Sequence, residues 1–186
     1  MRKHLVIVVC LALFPLLAAA EASAKEGFYI GAFVPSESIS GNAGSGTSSG
    51  SGWGARAGYG FNKYFAIEAN YATTSHNLTV SSTDLKSLAA DVKISFPLTS
   101  LDSAQVMTLM PYFLAGYAHY EQNTPSSSKS DGAQWGFGVE LYLFRELSVQ
   151  AGWTTTSVSF KNNAFPFNDL DGDVRRVDIG LIYHFE

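Results

Sequence analysis

The sequence predicts an all-β fold: an eight-stranded antiparallel up-and-down barrel that crosses a membrane. Three observations predict it. Only 15% of the 186 residues are charged while 13% are aromatic, against roughly 25% charged in soluble domains. No long apolar run follows residue 24. Most of the chain beyond that point alternates apolar with small or polar residues at period two, the strand signature. A charge-poor, aromatic-rich chain without membrane helices fits a transmembrane β-barrel, whose strands alternate lipid-facing and interior side chains.

The N-terminus predicts export. Arg2, Lys3 and His4 precede an apolar run from Leu5 to Ala20, interrupted by Pro15, and Ala22-Ser23-Ala24 supplies the small residues of a cleavage site. That is the three-part pattern of a secretory signal peptide. Cleavage after Ala24 leaves one domain, residues 25–186. It discards Cys10, the only cysteine, so the mature chain has no disulfide and no thiolate metal site. Loss of Arg2, Lys3 and Glu21 takes Lys+Arg from 12 to 10 and Asp+Glu from 16 to 15, so the net charge moves from −4 to −5. A mildly acidic chain without basic clusters excludes nucleic acid as an expected partner.

Six runs alternate cleanly. Trp53, Ala55, Ala57, Tyr59 and Phe61 interleave with Gly54, Arg56, Gly58 and Gly60. Phe65, Ile67, Ala69 and Tyr71 interleave with Ala66, Glu68, Asn70 and Ala72. Leu88–Phe96, Gln134–Leu143, Leu147–Trp153 and Arg176–Phe185 follow the same rhythm. Gly27–Val34 and Val106–Tyr120 are strand-like but less regular, and complete the eight. The links around Asn62-Lys63 and at Arg145-Glu146 are short. Pro35–Ser51, Glu121–Asp131 and Lys161–Asp173 are longer and polar. Short periplasmic turns and long external loops characterise outer-membrane barrels, which places both termini in the periplasm. Pro97–Gln105 is the misfit, a long link where a short turn is expected.

Alternation alone leaves open which face is outside, since a soluble lipocalin-like barrel alternates in the opposite sense. Here the polar face is rich in Gly, Ala and Ser, which suits the crowded interior of a barrel of about eight strands. Its charges carry both signs: Arg56, Lys93 and Arg176 with Glu68, Asp91, Glu140 and Asp178. Buried ions need partners, so these seven are expected to form an interior ionic network. The other face has no charge at its central positions, where a lipid-facing one would cost roughly 2–4 kcal/mol. Trp53, Tyr64, Phe65, Tyr71, Tyr120, Trp135, Trp153 and Phe160 are expected in the aromatic belts at the membrane interfaces.

Gly27-Phe-Tyr-Ile-Gly-Ala32, Trp53–Phe61, Pro111-Tyr-Phe-Leu-Ala-Gly-Tyr117 and Val177-Asp-Ile-Gly-Leu-Ile-Tyr-His-Phe185, in that order, resemble the OmpA-like transmembrane-domain family of small outer-membrane barrels. The resemblance spans the mature chain. It implies that Asp178, Gly180, Tyr183 and Phe185 form the C-terminal signal read by the barrel-assembly machinery. Glu186 departs from the pattern, standing one residue past the expected terminal Phe. Full-length family members add a peptidoglycan-binding domain. The chain stops at the last strand, so the likeness is to barrel-only members.

No catalytic set emerges. The His-x-Ser spacing of a lipid A deacylase is missing, because Leu78, Glu121 and Glu186 follow His76, His119 and His184 by two residues. Asp169-Leu-Asp-Gly-Asp173 has a calcium-loop flavour but too few ligands for an EF-hand. The Asn77-Leu-Thr79 sequon carries no weight in a bacterial chain. The expected function is non-enzymatic and cofactor-free. A barrel embedded in outer-membrane lipid and lipopolysaccharide presents loops to host or cell-surface ligands. A narrow channel for ions or very small solutes is the second reading, and a lipid-modifying enzyme the third.

Overall fold

The computed structural model describes residues 26–41, 48–77, 82–98, 108–123, 128–160 and 170–185. The signal segment, most of the Pro97–Gln105 link, Leu78 and Thr79 of the sequon, Asp169 and Glu186 lie outside these residues. The described chain is eight strands: β1 (Gly27–Gly41), β2 (Ser48–Gly60), β3 (Phe65–Asn77), β4 (Ser82–Ser95), β5 (Thr108–Asn123), β6 (Ser128–Tyr142), β7 (Leu147–Phe160) and β8 (Leu170–His184). Each strand pairs antiparallel with its sequence neighbour. β1 closes on β8, with Ala32 opposite Leu181 and Glu37 opposite Arg176. Closure leaves no unpaired sheet edge, the condition for carrying a sheet through hydrocarbon.

The burial pattern settles which face is out. Phe28, Ile30, Val34, Ile67, Val92, Phe113, Phe137, Val177, Ile179 and Leu181 all face outward and exposed. The residues between them, including Arg56, Glu68, Asp91, Lys93, Glu140, Arg176 and Asp178, are buried inside. So continuous an apolar exterior needs lipid, not water, around it.

Two turns are tight. At 61–64, the Asn62 side-chain oxygen accepts from the backbone N–H of Tyr64 at 2.8 Å and of Phe65 at 2.9 Å, the turn-forming use of Asn. At 143–146, Leu143 N–H reaches Leu147 O at 2.9 Å. Below β4 and β5 the pairing runs on through Phe96 to Pro111 (2.8 Å) and Leu98 to Leu109 (3.3 Å). The described part of that misfit link therefore behaves as a continued ladder.

The strands overrun the sequence boundaries at the opposite end. They hold between 13 and 16 residues, where about 9–11 tilted residues cross a bilayer. Residues expected in loops, 35–41, 48–51, 121–123, 128–131 and 170–173, are strand. Leu170–Asp173 therefore opens β8 and is no calcium loop; Asp173 accepts the Ser157 hydroxyl at 2.9 Å. The extensions escaped notice because their outward residues turn polar, which erases the apolar alternation.

Tyr120 is a second correction. It points into the barrel, 1% exposed, with its hydroxyl 3.3 Å from Thr156 Oγ1. Trp53 and Tyr71 (centroids 5.9 Å apart) and Trp135 and Trp153 (5.3 Å) form an outer aromatic belt, in mid-strand and not at strand ends. Phe28, Tyr59, Phe61, Tyr183 and Phe185 form a second one at the end of the short turns. The Phe160 side chain lies outside the described part.

Candidate functional site

The interior is built in tiers, each strand contributing every second residue. Nearest the short turns, Lys93 donates to Glu140 Oε2 at 2.7 Å and to Gln150 Oε1 at 3.0 Å. Glu140 Oε1 accepts the Ser148 hydroxyl at 2.8 Å and lies 3.1 Å from His184 Nε2. Above this tier, Arg56 bonds Asp178 at 2.6 Å and approaches Glu68 at 3.5 Å, while Tyr29 donates to Glu68 at 3.0 Å.

Arg176 donates to Asn70 Oδ1 at 3.1 Å and faces Asp178 at 3.7 Å. Among the described residues Asp91 forms no direct ion pair. Asn70 donates to it at 2.9 Å, and Gln134 donates to both its oxygens at 3.0 Å. Higher still, Thr74 donates to Glu37 at 2.6 Å, and His76 lies 4.0 Å from the same carboxylate.

All seven charged residues expected in the interior stand inside, in two groups: Lys93 with Glu140, and Arg56, Glu68, Asp178 and Arg176 with Asp91 joined to them through Asn70. Missed were Glu37, His76 and His184 as network members, and the amides Asn70, Gln134 and Gln150 that bind the ions together. Glu37 falls in the stretch read as loop. His184 shares the polar face of its run with Arg176, Asp178 and Gly180, but alternation along one strand names no partner for it.

Interior glycines make room for large rings. The Phe33 ring occupies the space a Cβ on Gly54 would need, approaching it to 2.2 Å. The Arg56 guanidinium stands 4.4 Å from the centroid of that ring and the Arg176 guanidinium 5.5 Å, a cation–π arrangement that helps replace lost hydration.

Above the outer aromatic belt the polarity inverts. Leu85, Ala89, Ala118, Tyr120, Val158 and Val174 pack inside as an apolar cluster with Ile39 against it. Outward stand Ser49, Ser51, Ser75, Asp84, Lys129, Asp131 and Arg175. His119 Nδ1 meets Asp131 at 2.5 Å, and Lys129 reaches Glu121 at 3.4 Å, both on the surface. The outer end is therefore built like a water-soluble barrel, with an apolar core and a polar outside, and it stoppers the charged tiers beneath.

Ser148, His184 and Glu140 share the residue types of a hydrolase triad but not its geometry. Ser148 and Glu140 both meet the same ring nitrogen, Nε2, each at 3.1 Å. A triad needs one ring nitrogen for the nucleophile and the other for the acid. The Ser148 hydroxyl is also fully buried and donates to the carboxylate. Among the described residues no group of His, Asp and Glu is arranged to hold a metal ion.

Residues 6–185 match the model of a family described as "Outer membrane protein beta-barrel domain". The chain belongs to that family. It is an outer-membrane β-barrel protein, and its exposed apolar wall sits in lipid. Solved structures agree in fold. Neisserial surface protein A is 16% identical, with a TM-score of 0.67 over 89% of this chain and 100% of that one. Ail, the attachment invasion locus protein of Yersinia pestis, is 15% identical, with a TM-score of 0.55 over 86% of this chain and 99% of that one. Ail has also been solved with the heparin analogue sucrose octasulfate. No curated protein matches the sequence.

Proposed function

We propose that this family member acts as a membrane-anchored interaction protein, without enzymatic activity or cofactor, whose external end contacts host or cell-surface molecules. One observation carries the reading: the strands continue past the outer aromatic belt as a polar-walled rim with its own apolar core. A rigid scaffold holding connections away from the membrane is the usual setting for binding loops.

The same stopper disfavours the channel reading, because Leu85, Tyr120, Val158 and Val174 fill the outer mouth. The sulfated ligand of Ail is not carried over. Among the described residues the rim sets Asp84, Glu121, Asp131 and Asp173 against Lys86, Lys129 and Arg175, which is no basic surface. Lipopolysaccharide surrounds the rim as neighbouring lipid.

Export with cleavage after Ala24 and delivery by the barrel-assembly machinery belong to the same reading. Of the C-terminal signal residues, Tyr183 and Phe185 face outward, where a recognition partner can reach them, while Asp178 is turned inward onto Arg56.

The test compares cells displaying the native barrel with cells whose connections 42–47, 78–81, 124–127 and 161–169 are replaced by short turns. Adhesion to immobilised matrix proteins, serum proteins and other cells is read for both. Loss of adhesion in the loop-shortened barrel supports the interaction role. Equal adhesion, at equal surface amounts, removes it.

A further inference from the structure

Glu37 on β1 and Arg176 on β8 are cross-strand partners at the seam where the barrel closes. Both side chains point into the lumen, 2% and 3% exposed. They carry opposite charges yet do not touch: Arg176 Nη1 stands 4.0 Å from Glu37 Oε1, beyond hydrogen-bond reach. Both atoms are buried, and neither has a hydrogen-bond partner among the described residues. Buried charged groups left short of hydrogen bonds are costly, and a third group between them removes the cost.

Neighbouring contacts hold the gap at that width. Glu37 is fixed through its other oxygen, which accepts the Thr74 hydroxyl at 2.6 Å. Arg176 is fixed through Nη2, which donates to Asn70 Oδ1 at 3.1 Å, and its guanidinium lies 5.5 Å from the centroid of the Phe33 ring. Direct contact between Arg176 and Glu37 would pull on one of these bonds.

The space between the two is also walled. Toward the outer end, the next inward pair on the same two strands is Ile39 opposite Val174, which belongs to the apolar stopper. In the other direction the next pair is Pro35 opposite Asp178, the carboxylate bound by Arg56. A group held here has an apolar roof and an ionic floor.

The chemistry it needs is narrow. It must accept from a guanidinium N–H and donate to a carboxylate oxygen. A halide accepts but cannot donate, and it would stand against Glu37. A metal cation cannot accept, and it would stand against Arg176. A water molecule does both. Two ordinary hydrogen bonds of about 2.8–2.9 Å meet across a separation of this size.

We propose that the barrel binds one structural water molecule between Arg176 Nη1 and Glu37 Oε1. The closing seam is then held by a water-bridged ion pair, sealed from bulk solvent by the stopper. The inference concerns the interior alone and is independent of what the external end contacts.

The experiment is a crystal structure of the mature barrel in a lipid mesophase, at a resolution that shows ordered water, with bromide as the only halide. One oxygen peak should lie within about 3.2 Å of both atoms, without bromide anomalous signal. A direct Arg176–Glu37 hydrogen bond, separated side chains with no peak between them, or an anomalous peak would each overturn the proposal. Glu37→Met keeps the length of the side chain and removes the acceptor, so the peak should disappear. A peak that persists there would also overturn it, since Glu37 would have no part in holding the water. If that variant does not fold, the parent structure decides alone.

Discussion

Arg56 on β2 donates to Asp178 on β8 at 2.6 Å, passing over the intervening β1, and both side chains are almost fully buried. The bond ties strands that share no backbone ladder. It also leaves the arginine to serve Glu68 at 3.5 Å. Removing the cation leaves Asp178 with only the more distant Arg176 at 3.7 Å and Glu68 with only the Tyr29 hydroxyl at 3.0 Å, both carboxylates still buried. Arg56→Ala is expected to lower stability by about 3–5 kcal/mol, the cost of breaking a buried pair from one side. Asp178→Asn in the same background should restore part of the loss. Urea titration of the folded barrel in vesicles measures both, and an Arg56→Ala barrel as stable as its parent would count against the network.

The wall is as constrained as the interior. A Cβ on Gly116 would stand 2.0 Å from the Ala90 carbonyl oxygen of the neighbouring strand, a backbone atom that cannot swing aside. Gly116→Ala is expected to force β5 away from β4 and cost about 1–3 kcal/mol. The adjacent outward change Ala115→Leu points into lipid and should be near neutral. Equal unfolding midpoints for the two variants would show that the β4–β5 spacing is softer than this geometry implies.

The outer aromatic belt marks where lipid gives way to water, and charge placed on either side should report it. Val92 lies on the lipid-facing wall of β4, whereas Ser49 faces outward on the extension of β2. Val92→Arg should cost roughly 2–4 kcal/mol and Ser49→Arg about 0–1. Similar penalties at the two sites would mean that the membrane boundary is misplaced.

Strand number, order and facing were legible because the lipid-facing residues of the membrane zone are uniformly apolar. Val92, Ile94 and Phe96 against Asp91, Lys93 and Ser95 leave one arrangement. The same logic failed beyond the belt. Ser49, Ser51, Lys129 and Asp131 face water, and β1, β2, β5, β6 and β8 lose their contrast there and read as loop. Tyr120 was misplaced for the same reason, since in the outer tier the inward residue is the apolar one. The charged network was legible as a set of signs on one face. Its wiring was not: Asn70 and Gln134 hold Asp91 only because β3, β4 and β6 curve around one lumen, and no local pattern records that.

The stopper yields a last expectation. Conduction requires a continuous wet path, yet the Leu85, Tyr120, Val158 and Val174 side chains meet inside the outer mouth and leave the ionic tiers buried below. The intact barrel in a planar bilayer should pass no steady ionic current. Leu85→Ser/Val174→Ser should admit water to the outer tier and bring His76 and Glu37 into contact with solvent. It should still conduct poorly, because the Arg56–Asp178 and Lys93–Glu140 tiers cross the lumen beneath it. Steady conductance from the intact protein, abolished by interior charge substitutions, would instead make the channel its function and demote the external rim to a support. Conductance only after both the stopper and a charged tier are removed would establish two barriers in series.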